Sequence, residues 1–283
     1  MLNILLPTDF SDNSWNAIVY ALKLYKDEVC TFYLLNSTSL KASTMSSLSN
    51  KLLRTMREEA MKELLELKEL ADVADTNSNH SFEVILSSKH LQSAIKVAVK
   101  EKLIDLVIMA TKGATGAKEL LFGSNTVSAI QSLRHCPMLI VPQNYDYLEP
   151  TQLAFATDYK HAYSNKDLVP LKHLADLYNS KIRIVHINVE KELNSVQEYN
   201  FTMLKNYLNN HDYSFHWMPD YSKKVIEIND FIEELQINIL AMVKYKHSLV
   251  ENIFKESVVK KIGFNPRIPF LVQGKLTLLF LRS

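Results

Sequence analysis

The chain has 283 residues, of which 47% are hydrophobic and 22% are charged, and its formal net charge at pH 7 is +1. These values are typical of a globular chain long enough for two buried cores, and they exclude a fibrous or intrinsically disordered protein. Because the net charge is near zero and no basic cluster stands out, the composition also argues against a nucleic-acid partner.

The two cysteines, Cys30 and Cys136, lie far apart in the sequence, which is usual for proteins of a reducing compartment. The apolar run at the N-terminus is too short for the core of a signal peptide. No uncharged apolar stretch reaches the ~18 residues that a membrane helix needs. We therefore expect a cytoplasmic protein with no membrane partner.

The first half of the chain alternates between predicted strands and predicted helices. The strands are short apolar or β-branched runs, at residues 3–9, 31–36, 81–86, 106–109 and 138–141. The helices have apolar residues three or four apart, at residues 13–26, 53–67, 91–101 and 123–130. The predicted order is therefore β-α-β-α-β-α-β-α-β.

The second half repeats this order. Its strands are predicted at residues 153–158, 182–188, 213–218, 239–243 and 269–272. Its helices are predicted at residues 164–179, 196–208 and 224–235, with one more before the last strand. In both halves the first strand ends in Thr-Asp, as Thr8-Asp9 and as Thr157-Asp158.

Alternating strands and helices predict parallel sheets covered by helices on both faces. We therefore expect an α/β fold with two tandem open-sheet domains, each with a five-stranded parallel sheet, at residues 1–146 and 147–283. In open sheets of this kind, ligands bind beyond the carboxyl ends of the strands. The residues that follow each strand are therefore the candidates for a site.

Glycines are concentrated after the fourth strand of the first half. Three of the five glycines in the chain lie within residues 113–123, and the third of them opens a helix as Gly123-Ser124-Asn125-Thr126. Backbone amides at such a helix start can bind an anion such as phosphate. A solvated loop with an ordinary serine at the helix start explains the local pattern equally well. Neither common Gly-rich phosphate-binding motif is present.

This arrangement resembles the universal stress protein family. Its nucleotide-binding members carry Gly, two residues, Gly, nine residues and then Gly-Ser or Gly-Thr after the fourth strand. Here Gly113 and Gly123-Ser124 match that pattern, and Ala110 stands at the place of the first Gly. Pro7-Thr8-Asp9 matches the family's motif after the first strand. The resemblance covers nearly all of the chain except the last residues, and it implies a Rossmann-like fold of the adenine nucleotide alpha hydrolase-like type.

The resemblance also implies a site for ATP or a related adenine nucleotide, with or without Mg²⁺, in the first domain. Asp9 would contact the nucleoside, and Met109 would lie beside it. Asn36-Ser37 stands where the family usually has His-Val beside the base. The phosphates would bind to the Gly-rich segment. The implied nucleotide-binding residues are Pro7, Thr8, Asp9, Ser37, Met109, Ala110, Gly113, Gly123, Ser124, Asn125 and Thr126.

The family resemblance further implies a non-catalytic stress-response protein, with at most slow ATP hydrolysis. It implies that the two domains pair through their last strands, and it allows a homodimer. No histidine stands in a metal-binding motif, so no metal site is predicted.

The second domain departs from the family's loop. Lys246 and Glu256 stand at the places of Gly113 and Gly123. Because a glutamate at a helix start repels phosphate, we expect no nucleotide to bind there in the same way. An apolar run at residues 276–281 follows the last strand, and the sequence leaves its role open.

Two other functions remain open on the sequence alone. The first is a structural or regulatory interaction module, built from two paired domains, that binds no nucleotide. Ala110, Asn36 and Ser37 favour it. The second is an ATP pyrophosphatase on a related fold, but the chain lacks the S-G-G-x-D-S loop of such enzymes.

Overall fold

The computed structural model describes residues 1–38, 50–111, 123–133, 135–187, 192–218, 230–245 and 267–274. The chain forms two compact units, Met1–Tyr147 and Leu148–Ser283. The predictions made for Gly113, Lys246, Glu256 and the apolar run at 276–281 lie outside the described residues.

The first unit contains five strands in one parallel sheet. They are β1 (Leu2–Pro7), β2 (Cys30–Ser37), β3 (His80–Ser87), β4 (Leu106–Ala110) and β5 (Met138–Val141). Their order in the sheet is β3-β2-β1-β4-β5, and every neighbouring pair is parallel. Because β1 and β4 are adjacent, the residues that follow these two strands lie at the same edge of the sheet.

The described helices of the first unit connect these strands. They are α1 (Asp12–Leu24), α2 (Asn50–Ala74), α3 (Leu91–Glu101) and α4 (Ser124–Ser132). Helix α1 begins where the Ser11 hydroxyl accepts a hydrogen bond from the Ser14 amide, which satisfies one of the amides left unpaired at a helix start. Helix α2 buries only a narrow stripe, formed by Ala60, Leu64 and Ala71.

The second unit has the same strand order. Its strands are β6 (Gln152–Thr157), β7 (Lys181–Ile187), β8 (Tyr213–Met218), β9 (Ile239–Lys244) and β10 (Phe270–Gly274). Within this unit they lie in the order β10-β9-β6-β7-β8, again all parallel. Its helices include α5 (Val169–Tyr178) and α6 (Ser195–Tyr207), and residues 230–234 are also helical.

Strands form the core of each unit. Strand β4 and strand β5 are buried along their whole length, and strand β9 is buried up to its last residue. Such continuous burial is expected for parallel strands that helices cover on both faces. The predicted α/β fold class, with parallel strands that alternate with helices, is confirmed. Gly274 is the last residue of β10.

Among the described residues, no helix combines the length and the apolar character needed to cross a membrane.

Candidate functional site

The chain turns sharply from β1 into α1 in the first unit. Phe10 has a φ of 64°, which lies in the left-handed region that non-glycine residues rarely adopt. Thr8 is buried directly before it, and its hydroxyl oxygen accepts a hydrogen bond from the Phe10 amide at 3.0 Å. The same oxygen lies 3.0 Å from the Ser14 hydroxyl of α1. Thr8 therefore fixes the turn from within and does not face solvent.

Asp9 projects from the outer side of this turn. It is exposed, and its Oδ1 accepts hydrogen bonds from the Ser11 hydroxyl at 2.6 Å and from the Ser11 amide at 3.3 Å. Ser11 also caps α1, so the capping residue of the helix orients the carboxylate as well. Asp9 is thus an exposed, oriented acceptor at the carboxyl end of β1.

The end of β2 supports this turn. Asn36 is buried, and its side-chain amide donates to the Thr8 carbonyl at 2.9 Å. The Ser37 hydroxyl donates to the Lys89 carbonyl at 2.6 Å, in the connection between β3 and α3. Both side chains are therefore bonded within the protein. The scaffolding roles of Asn36 and Ser14 were missed by sequence reasoning, because their partners are not recognisable from local sequence.

The end of β4 is joined to the start of α4. Met109 and Ala110 are buried, and Ala110 pairs with Val141 of β5. The Thr126 hydroxyl is also buried and lies 3.1 Å from the carbonyl oxygens of Ala110 and Thr111. It therefore fixes the first turn of α4 to β4. In this structure Thr126 is thus a positioning residue.

Gly123 makes a second link between these elements. Its amide donates to the Thr111 carbonyl at 2.6 Å, and its φ and ψ are −59° and 151°. This hydrogen bond within the chain therefore already uses the Gly123 amide. A φ of −59° is open to every residue, so backbone strain does not explain the glycine at this position.

Ser124 and Asn125 form the exposed start of α4. Within the described part of the chain, no hydrogen bond reaches their amides or their side chains. The first amides of a helix have no partner inside the helix, and the helix dipole places a partial positive charge at this end. The two amides and the Ser124 hydroxyl can therefore donate hydrogen bonds to an anion.

The structure thus brings two chemically different groups to one edge of the first sheet. Asp9 follows β1, and the amides of Ser124 and Asn125 lie at a helix start that is fixed to the end of β4. Strands β1 and β4 are hydrogen-bonded neighbours. At this edge the Asp9 carboxylate can accept hydrogen bonds from hydroxyl or amino groups, and the two amides can donate hydrogen bonds to an anion.

The corresponding edge of the second unit is aromatic. Tyr159 follows β6 with a φ of 54°, as Phe10 follows β1, and its ring stacks on His186 with centroids 4.5 Å apart. The Trp217 ring also contacts His186, tilted by 43° and with the ring centroids 4.4 Å apart. Tyr159 and His186 are each only 2% exposed, so they fill this edge with their own side chains.

Two further tyrosines extend the aromatic cluster of the second unit. The Tyr163 hydroxyl lies 2.5 Å from the Thr157 hydroxyl, at the end of β6. Tyr245 follows β9, and its ring stacks on His161 with centroids 4.7 Å apart. Burial raises the pKa of both tyrosines well above the usual value, so they stay neutral. Neither offers a charge to a ligand.

The two thiols are poor candidates for chemistry. Cys30 and Cys136 are both buried and unpaired with each other. Burial, and next the charge of Glu28, raise the pKa of Cys30 to about 12; burial also raises the pKa of Cys136. A nucleophilic cysteine needs a lowered pKa. Among the described residues, no group of three or more His, Cys, Asp or Glu side chains is placed to hold a metal ion.

Comparisons with known proteins agree with this architecture. A family model described as the universal stress protein family matches residues 1–142. The universal stress protein MJ0531 of Methanocaldococcus jannaschii is 30% identical over 144 residues, which are 49% of this chain and 80% of that protein. The universal stress protein YxiE of Bacillus subtilis is 28% identical over 144 residues, 49% of this chain and 97% of that protein. A crystal structure of a universal stress protein from Archaeoglobus fulgidus has a TM-score of 0.70 at 18% identity and covers 96% of both chains.

Proposed function

The chain belongs to the universal stress protein family, and on that premise we propose that its first domain binds ATP or a related adenine nucleotide. The protein would act in the cytoplasm as a stress-response regulator whose state depends on the bound nucleotide. It would not be an enzyme, and any hydrolysis of the nucleotide would be slow.

One observation carries this proposal. The amides of Ser124 and Asn125 open a helix whose start is fixed to β4, and they lie at the same edge of the sheet as the exposed carboxylate of Asp9. A helix start of this kind binds phosphate groups. A carboxylate nearby accepts from the hydroxyls of ribose or from an amino group of a base. The two groups together fit a nucleotide better than they fit a free anion.

The surrounding hydrogen bonds support binding without reorganisation. Ser11 orients Asp9 through two hydrogen bonds, and Thr126 fixes the first turn of α4. Groups that are held in place before a ligand arrives lose little conformational entropy on binding. Gly123 contributes through its contact with Thr111 and not through a direct phosphate contact.

Isothermal titration with ATP tests this function. We expect one site per chain, and we expect Asp9→Ala to weaken binding at least about tenfold, because a hydrogen bond to a charged group contributes roughly 1.5–3 kcal/mol. Asp158→Ala is the matched control: Asp158 follows β6 as Asp9 follows β1, and its Oδ1 accepts from the Lys160 amide. It should leave ATP binding unchanged. If the wild type binds no ATP at millimolar concentration, the proposed function is wrong.

For the second domain a different function is favoured by a specific observation. The rings of Tyr159, His186 and Trp217 fill the edge that corresponds to the proposed site of the first domain. We therefore propose that the second domain binds no nucleotide and serves as a structural or regulatory interaction module.

A further inference from the structure

Helix α2 carries a large exposed surface that the proposed nucleotide site does not use. It has 25 residues, and its buried stripe consists of Ala60, Leu64 and Ala71 alone. Beside this stripe Met61 is 36% exposed and Leu65 is 45% exposed. An open groove of about 870 Å³ runs along this face. Grouped apolar side chains on the surface of a soluble domain often mark an interaction site.

The groove, which we call the α2 face, has an apolar centre and a charged rim. Its apolar lining comes from Leu53, Met61 and Leu65 of α2 and from Leu86 of β3. Arg54, Arg57, Glu58, Lys62, Glu66 and Glu69 line its rim. An apolar centre surrounded by charged residues is the usual anatomy of a protein–protein interface.

The charges along α2 are segregated by sign. Residues 50–57 carry three basic and no acidic side chains, whereas residues 58–74 carry six acidic and two basic side chains. Along the α2 face, Arg54 and Arg57 lie towards the start of the helix, and Glu66 and Glu69 lie towards its end. A parallel partner with the same sequence would bring like charges together, whereas an antiparallel one brings opposite charges together.

The spacing of these charges is symmetric. Along the sequence, Arg54 and Glu69 are equally far from the midpoint between Met61 and Lys62. Arg57 and Glu66 are also equally far from that midpoint. A two-fold axis through that point would place each arginine of one copy beside a glutamate of the other. Two-fold interfaces use the same patch on both partners, so this self-complementarity is what such an interface requires.

We infer that the α2 face binds the α2 face of a second copy of this chain, in an antiparallel arrangement. Met61 and Leu65 lie at the centre of the contact, and four Arg–Glu pairs between the copies lie at its rim. In the single chain, charged residues of this face pair with neighbours on the same helix. Arg54 pairs with Glu58 at 2.7 Å, and Lys62 pairs with Glu66 at 3.6 Å. Exposed pairs of this kind contribute only a few tenths of a kcal/mol, so they rearrange easily.

Two charge-reversal variants test the inference. Arg54→Glu with Arg57→Glu makes positions 54, 57, 66 and 69, which form the Arg–Glu pairs, all acidic, and Glu66→Arg with Glu69→Arg makes them all basic. Sedimentation velocity over a range of concentrations should show that each variant alone self-associates at least about tenfold more weakly than the wild type. An equimolar mixture of the two variants should associate again, because each rim then faces one of opposite charge.

A matched control separates this contact from a change in net charge. Glu59→Arg with Glu63→Arg makes the same change in charge as Glu66→Arg with Glu69→Arg, on exposed positions of α2 that do not line the groove. It should associate as the wild type does, and circular dichroism should show the same helix content in all variants.

Three results would overturn the inference. The wild type could stay monomeric at all concentrations, because residues 39–49 or a different protein cover the face. The variants could associate as strongly as the wild type, through another surface. Lastly, the mixture could fail to associate. None of these results bears on ATP binding by the first domain, so the two proposals fail independently.

Discussion

A negative charge added at Ser124 tests whether the start of α4 binds phosphate or is an ordinary helix start. Ser124→Glu places a carboxylate at the first position of α4, where it interacts favourably with the helix dipole. The variant should be as stable as the wild type, yet its affinity for ATP should fall at least about tenfold, because the carboxylate repels phosphate. Thermal unfolding with and without ATP measures both effects.

Ser195→Glu supplies the matched control for this change. Ser195 is the first residue of α6 in the second unit, and like Ser124 it is exposed. Its substitution adds the same charge at the same helical position, and it should leave the ATP-dependent stabilisation intact. Equal loss of stabilisation in both variants would show that the phosphate does not bind at the start of α4.

At the scale of secondary structure elements, α1 links stability to the site. Ser11 caps the helix and also orients Asp9. Ser11→Ala should therefore lower the free energy of unfolding by about 1 kcal/mol, which is typical for loss of a capping residue, and it should also weaken ATP binding. Chemical denaturation and isothermal titration measure the two effects.

Asn194→Ala separates the two effects. Asn194 caps α6 through hydrogen bonds from the amides of Val196 and Gln197. Asn194→Ala should lower the free energy of unfolding by about the same amount as Ser11→Ala, without any change in ATP binding. If Ser11→Ala binds ATP as tightly as this control, Asp9 does not need Ser11 to hold it in place.

The elements themselves were largely predictable from the sequence. The bounds of α3, β5 and β8 match the predicted ones, because apolar spacing and a preceding proline or polar residue mark them clearly. The stretch 164–179 was predicted as one helix, but it divides into a 3₁₀ turn at Asn165–Leu168 and α5. A capping box between Ser164 and Asp167 starts the turn, and Pro170 lies in the first turn of α5.

The details of the candidate site were less predictable. The Thr-Asp motif and the Gly-Ser helix start drew attention to Asp9 and Ser124, and both residues are exposed in the structure. The sequence could not show that Gly123 and Thr126 bond to the end of β4, because the partners are 12 to 16 residues away and the contact depends on the fold. The aromatic stack of the second unit was hidden for the same reason: Tyr159, His186 and Trp217 come from three separate strand ends.

On the scale of the whole molecule, the two units share a strand order but differ in the chemistry of one edge. The first exposes Asp9 and the start of α4, and the second buries aromatic rings. Hydrogen exchange with and without ATP should therefore show added protection at residues 8–11 and 123–126, and none at residues 157–161. Ligand binding stabilises the units that contact the ligand, so protection in both units alike would contradict a single site.

The most direct test of the central claim is a crystal structure of the full chain grown with ATP. We predict density for one nucleotide, in the first domain, with phosphate oxygens within hydrogen-bonding distance of the amides of Ser124 and Asn125 and with the nucleoside beside Asp9. Density for a nucleotide at the aromatic edge of the second domain, or an empty first domain at saturating ATP, would contradict the account.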